Sequence, residues 1–480
     1  MATRSMQIGG KLRRLRQERH LSQAQMAAEL SISPSYLNLI ESNRRPVTAR
    51  VLMQLADKFR IEIASLVSED DERLSSELME ALSDPIFEEH DVRVSDVKDL
   101  VASLPSVGRV LLDLYRVHHR AQSAAPGTVV QAGDAPTENS LAGLPSEEVT
   151  DFLQSRSNHF ADLEKAAEQL WLDNGIALHT LQHDLVRVLS QRFAVQVEIV
   201  PAGRMPGLLR NYNPMTRRLE LSEMLPLASR TFQLAHQIGF LASRQLIEHL
   251  AAGGKFTSPA SDSLARSALA NYFAAAVMMP YDRFIEAARE TRYDIEVLQN
   301  RFGISFEQAC HRLTTLRRAG NEGIPFHLIR VDIAGNISKR FSSSGIRIAS
   351  FGAACPRWNV YDSFATPGMI RVQVSQMPDG QSFFCVARTI SSAGQSPRRG
   401  GLPQRVERLS IGLGCSIHHA REIVFSDGLH LDDPQIVTPI GVSCRTCPRR
   451  DCSDRASPSL AHKLEIDENR RGHSPYITGL

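Results

Sequence analysis

Between Gln122 and Pro145 the chain is a run of Ala, Gly, Ser, Thr and Pro with almost no hydrophobic periodicity, the composition of a flexible connection and not of a core element. One core cannot run through such a stretch, so a chain of 480 residues divides there, and at ~100–200 residues per domain the longer part holds more than one. The pattern differs on the two sides. Apolar residues recur at helical spacing before the stretch, whereas the alternation in His327–Asp332, Arg371–Val374 and Ser382–Ala387 predicts strands beyond residue 325. The expected architecture is multidomain: an all-α head over 1–68, a helical connector over 69–121, a linker over 122–149, a mainly α middle (α+β) over 150–325 and an α+β C-terminal region over 326–480. The middle should carry a strand pair at Val195–Pro201 and Arg218–Ser222.

The longest nearly apolar run, Ala268–Met279, is interrupted by Asn271 and falls short of the ~18 residues of a membrane span. Arg4, Lys11, Arg13 and Arg14 are not followed by an apolar stretch and cleavage site, so no secretory signal is read and a cytoplasmic location is expected. A net charge of +2 conceals an asymmetry, because residues 1–60 hold 11 Lys and Arg against 4 Asp and Glu while the remainder holds 44 against 49. A small basic head on an acidic body suits a local polyanion, whose phosphates supply much of non-specific nucleic-acid affinity.

The head contains the device for such a partner. Ser22 opens a helix to Leu30, Ser31 and Ile32 form a turn, and Ser33 with Pro34 opens a second helix to Asn43. With Ala27, Leu37 and Ile40 facing the core, Ser33, Ser35, Tyr36, Asn38 and Ser42 are left outward to reach base edges. Gln23 is expected near the nucleic-acid backbone, with Arg44 and Arg45, and also Arg13 and Arg14, placed for phosphates. The segment 7–66 resembles the XRE/Cro-type helix-turn-helix family at Leu21, Ser22, Gln23, Ala27, Ser33, Ser35, Tyr36, Leu37, Ile40, Glu41, Arg44 and Pro46. That resemblance implies binding of a duplex DNA operator, by a homodimer at paired half-sites.

In the middle region, Thr231–Phe240 is similar to a worn H-E-x-x-H helix, in which two His hold Zn²⁺ and Glu activates water. His236 remains, but Gln237 cannot take a proton, Phe240 cannot ligate, and no Asp or Glu lies between Leu264 and Pro280. Residues 155–325, with Ala270–Tyr281, resemble the ImmA/IrrE metallopeptidase-like domain, which implies a degenerate peptidase cleft, without catalysis, reused for a small effector.

Cys444, Cys447 and Cys452 form C-x₂-C-x₄-C, and Cys415 or Cys355 could complete a four-thiolate set, with Cys415 preferred. Zinc usually shows two paired knuckles, so three clustered cysteines plus a remote one favour an iron–sulfur cluster over zinc. Reduced cysteines in a loop are the plain alternative.

The wider pattern is more specific than any one motif. Val331–Arg340, Cys355–Asn359, the cysteine triplet with Asp454–Pro458, and Asp467–Arg471 resemble the short-chain fatty acyl-CoA responsive regulators. The resemblance spans nearly the whole chain and implies a bacterial transcription regulator responding to propionyl-CoA or acetyl-CoA, with a [4Fe-4S] cluster in some members. A CoA ester needs cations for its phosphates and an apolar pocket for its acyl chain. Lys339, Arg340 and Arg357 are candidates for the first, and Tyr272, Phe273 and Met278 for the second. An iron–sulfur redox sensor and an active metallopeptidase are the competing readings.

Overall fold

The computed structural model describes residues 12, 13, 15, 16, 19, 21–42, 45, 47–59, 69–87, 90, 92–123, 145–349, 354–391, 398, 399, 402, 403, 408–460, 474 and 476. Two compact units divide the chain, one drawn from 1–135, 349–351 and 444–480, the other from 136–348 and 352–443. The expected C-terminal region 326–480 is thus split, its sheet in the larger unit and its cysteine segment in the smaller.

In the smaller unit, helices Gln23–Glu29, Pro34–Glu41 and Ala49–Phe59 enclose Leu12, Met26, Ala27, Leu30, Leu37, Ile40 and Leu55. Ser22 accepts from the Gln25 amide in a capping box, and Ser33 accepts from the Tyr36 amide with Pro34 at the first helical position. These caps satisfy amides that a helix start leaves without partners. The second helix ends at Glu41, two residues before the expected Asn43, because the Ser42 hydroxyl turns back to the Asn38 carbonyl at 2.7 Å. Between the helices Ser31 takes φ of 50°, a left-handed conformation that side chains other than Gly, Asn and Asp rarely adopt.

The connector is a three-helix cluster with its own core. Helices Glu69–Ala81, Val94–Ser103 and Pro105–Ser123 bury Leu78, Val97, Val101, Leu112 and Tyr115. Gly108 permits the close approach, since a Cβ there would stand 3.0 Å from Leu78. Helices Pro105–Ser123 and Pro145–Ser155 each take in an end of the expected linker, whose residues 124–144 lie outside the described residues.

The larger unit begins with a helical layer and a three-stranded sheet in the order β1–β3–β2, formed by β1 (Gln196–Val200), β2 (Arg210–Asn213) and β3 (Arg218–Ser222). The expected pair β1 and β3 is present and parallel, with the unforeseen β2 antiparallel at the edge. Helix Leu227–Ala242 packs on helix Pro259–Met278, and a Cβ on Gly239 would lie 2.9 Å from the Phe273 ring. Close contact here therefore requires glycine.

A six-stranded sheet follows, built from β4 (His327–Asp332), β5 (Ile337–Ser342), β6 (Arg371–Gln376), β7 (Ser382–Ser391), β10 (Arg408–Ser416) and β11 (Val437–Pro439), in the order β11–β6–β7–β10–β4–β5. A small hairpin of β8 (Arg398–Arg399) and β9 (Leu402–Pro403) falls between β7 and β10 in the sequence. All pairings of the six-stranded sheet are antiparallel except β11 with β6. Gly414 of β10 sits under His327, whose ring would be 2.5 Å from an added Cβ.

Candidate functional site

The outward face of helix Pro34–Glu41 presents Ser35 and Asn38 to solvent, and Tyr36 is half-buried against the head core. Ser33 and Ser42 are exposed but have structural engagements, Ser33 in the cap and Ser42 at the helix end. Arg45 is exposed just beyond the helix, anchored through its backbone amide to the Leu39 carbonyl at 3.1 Å. Arg44 and Arg14 lie outside the described residues.

Gln23, expected near the nucleic-acid backbone, is engaged within the head. Its side-chain amide donates to Glu41 at 2.9 Å, while Arg16 donates to both oxygens of the same carboxylate at 2.7 and 3.1 Å. Glu41 is fully covered, and Arg13 stands 3.9 Å from it. Burying a carboxylate is costly unless it is paired and hydrogen-bonded. The Glu41 carboxylate therefore holds Gln23 as a strut that fixes helix Pro34–Glu41 on its predecessor. Sequence reasoning missed this cluster; polar Arg16, Gln23 and Glu41 on faces otherwise packed against the core were the available signal.

His236 lies on the aromatic face of helix Leu227–Ala242, its ring 5.0 Å from Phe240 and 6.4 Å from Phe232. The Arg210 guanidinium, on β2, donates to its Nδ1. Burial first, then the nearby guanidinium, lowers the His236 pKa to about 3. The Nδ1 lone pair is thus held by a cation. Gln237 is also buried. This arrangement has neither a free imidazole ligand nor a general base.

Tyr272, Phe273 and Met278 come together in the core, 6%, 0% and 0% exposed. The Tyr272 hydroxyl donates to Glu164 at 2.6 Å, and Glu164 takes a bidentate pair from the fully buried Arg312 at 2.6 and 2.9 Å. Tyr272, Phe273 and Met278 are thus packed by the chain itself in this structure.

Lys339 and Arg340 are neighbours on the edge strand β5 and therefore point to opposite faces of the sheet. Lys339 donates to Glu307 at 3.1 Å, a carboxylate shared with Arg330 at 2.8 Å. Arg357 is half-buried, and its carbonyl accepts from Gln373 at 2.9 Å. The structure does not bring these cations together as one phosphate clamp: strand alternation separates two of them. A small apolar crevice, walled by Tyr293, Phe326, Phe384, Leu413 and Phe425, lies instead against β7 and β10. Alternating apolar residues in those strands were its only sequence signal.

The cysteine segment is organised by Arg455, 5% exposed, whose guanidinium donates to the carbonyls of Cys444 at 2.7 Å and Cys447 at 3.2 Å, and also to that of Arg449. Ser459 adds a bond to the Cys447 carbonyl at 2.7 Å, and the Ala456 amide lies 3.4 Å from the Cys444 sulfur. Cys447 is buried, Cys444 and Cys452 half-buried. The donors suit a thiophilic centre, but among the described residues no group of three His, Cys, Asp or Glu converges as metal ligands. Cys415 is fully buried in β10, and burial raises its thiol pKa well above the ordinary value. Cys355 is buried too.

Comparison with known proteins covers the same three segments. Residues 12–66 match the family described as helix-turn-helix, 190–314 the IrrE N-terminal-like domain, and 315–476 the short-chain fatty acyl coenzyme A regulator, C-terminal. The chain is 38% identical over 471 residues to the HTH-type transcriptional regulator PrpR of Mycobacterium tuberculosis, across 98% of this chain and 95% of that one. It is 39% identical to RamB of the same species and 36% identical to the propionyl-CoA carboxylase regulator of Cereibacter sphaeroides, each across 98% of both chains. A solved Mycobacterium tuberculosis transcriptional regulator aligns with a TM-score of 0.66 at 39% identity, over 70% of this chain and all of that one. With a helix-turn-helix over 12–66 and relatives collinear over almost its whole length, the chain belongs to the HTH-type transcriptional regulators that carry the short-chain fatty acyl-CoA regulator C-terminal domain.

Proposed function

We propose that this regulator binds a specific duplex operator through helix Pro34–Glu41 and that a short-chain acyl-CoA, propionyl-CoA or acetyl-CoA, shifts that binding without catalysis. The observation that carries the reading is the reader helix itself. Its start is capped by Ser33, its pose is held by Glu41, and Ser35 and Asn38 stand free on its outer face, in a chain collinear with a regulator named for propionyl-CoA carboxylase. Ser33, Ser35, Tyr36, Asn38 and Ser42 would face bases, and Arg44 and Arg45 phosphates, with Gln23 acting through Glu41. Tyr272, Phe273 and Met278 would line the acyl end of the ligand, which requires the core around them to open, with Lys339, Arg340 and Arg357 as separate candidates for CoA phosphates.

For a ligand to act as a switch it must bind two states unequally. Fluorescence anisotropy on operator and random duplexes, with propionyl-CoA, acetyl-CoA or free CoA, tests this. Operator affinity should exceed random affinity and change with one acyl-CoA. Equal affinities for the two duplexes would refute the reader, and insensitivity to every CoA species would refute the effector.

Three finer readings accompany it. A homodimer is supported by Val107, Val110 and Leu114, between 45% and 68% exposed along helix Pro105–Ser123, with Leu104, 53% exposed, just before it. Light scattering on Val110→Glu with Leu114→Glu should report a smaller particle than the unmodified protein. Cys444, Cys447 and Cys452, with Cys415 or Cys355, would hold a [4Fe-4S] cluster; anaerobic iron and sulfide analysis tests that, and stoichiometric zinc would refute it. No helix among the described residues is long and apolar enough to cross a membrane, which supports a cytoplasmic site of action.

A further inference from the structure

We infer that Arg210 and His236 form a seat for a small oxyanion with a short apolar tail, in the place where the peptidase-like site would hold its metal. Arg210 is the inward-facing first residue of the edge strand β2, followed on the same face by Tyr212. Its guanidinium is half-buried, and among the described residues it contacts no carboxylate: its hydrogen bond goes to the neutral His236. Burial alone lowers its pKa, with no acidic group opposing that shift. A guanidinium in such a position carries uncompensated charge and unfilled N–H donors in the fork that matches carboxylate or phosphate oxygens.

The surroundings narrow the ligand. Phe232 and Phe240 lie one helical turn to either side of His236, both only partly covered by the rest of the core. An oxyanion on Arg210 would therefore have aromatic surface beside it for a few methylene or methyl groups. Free inorganic anions gain nothing from that surface, whereas a short-chain carboxylate or an acyl-bearing phosphate ester does. The worn site keeps a fixed positive centre, with the guanidinium replacing the metal, and this seat is independent of whether a CoA ester also binds elsewhere.

The test uses the full chain and three probes, sodium propionate, inorganic phosphate and propionyl-CoA, in two measurements. Modification of arginines by phenylglyoxal, mapped by mass spectrometry, needs no variant: a bound probe should slow reaction at Arg210 at least threefold while leaving exposed Arg204 unchanged. Titration calorimetry should give saturable binding that Arg210→Gln weakens at least tenfold and Arg210→Lys, which keeps charge without the fork, weakens less. Protection by propionate alone assigns a free carboxylate, and protection by propionyl-CoA alone assigns the ester's phosphates. No protection by any probe overturns the seat, as does full-affinity binding of all probes to a folded Arg210→Gln protein; in the latter case the regulator's response to acyl-CoA would stand without it.

Discussion

Removing the Glu164 carboxylate should destabilise the larger unit more than any other single charge deletion there. Arg312 has no solvent exposure and Glu164 only 2%. Beyond Glu164, its guanidinium reaches the Met279 carbonyl and the Thr315 hydroxyl, each at 3.0 Å. In Glu164→Ala those two neutral acceptors remain but the counter-charge is gone, and leaving one member of a buried pair uncompensated costs about 3–5 kcal/mol. With a urea m-value near ~2 kcal/mol/M the midpoint should fall by roughly 1.5–2.5 M. Trp171 reports this directly, because its indole N–H donates to the Val277 carbonyl at 2.8 Å inside the same core. Trp358→Phe leaves it as the sole tryptophan, since the chain has two. Glu164→Leu with Arg312→Met removes both charges and should recover much of the loss. A single substitution costing under ~1 kcal/mol, or a double no better than the single, would refute the assignment of an obligate buried pair.

Arg45→Ala should weaken operator and random DNA alike and reduce the slope of log K against log salt by about 1, as loss of one phosphate contact requires; anisotropy across a salt series checks it. Glu41→Ala should lower specificity and head stability together, because it frees Gln23 and strands Arg16, and circular dichroism melting with operator binding will read both. His236 and His327 are each held near a pKa of about 3 by burial, so below pH ~6.5 the unfolded chain takes up protons that the folded chain refuses. Stability is then full above pH ~6.5 and falls by up to ~1.4 kcal/mol per pH unit for each histidine as pH drops toward 3; urea midpoints at pH 7, 6 and 5 should decline, and the decline should flatten in a His236→Gln, His327→Gln protein.

The head was readable because its information is local. Ser22, Ser33 and Pro34 mark helix starts within a few residues of the amides they satisfy. Buried polar pairing was not readable on the same terms, since Arg16 with Glu41 and Glu164 with Arg312 join positions 25 and 148 residues apart. The strands β1 and β3 were visible as apolar alternation, whereas β2, Arg210-Asn-Tyr-Asn213, is short and polar and becomes a strand by pairing with β3. At the worn peptidase helix the sequence shows what is missing, Glu and the second His, but the arginine that takes the metal's place comes from β2, outside the motif. Tyr272, Phe273 and Met278 illustrate the opposite limit: a run of large apolar residues looks the same whether it lines a pocket or fills a core.

The division of the chain bears on its biosynthesis. The smaller unit draws on both ends of the sequence, residues 1–135 and 444–480. During translation at about 5–20 residues per second, the helical head emerges first. Its unit then waits for some 300 intervening residues, about 15–60 s at that pace. A ribosome that stops after Phe59 but before Cys444 releases a chain with a complete helix-turn-helix but without the Arg455-pinned segment that belongs to the same unit. Quality control acting on residues 444–480 would therefore police the unit that carries the helix-turn-helix, although some 300 residues separate the two in the sequence.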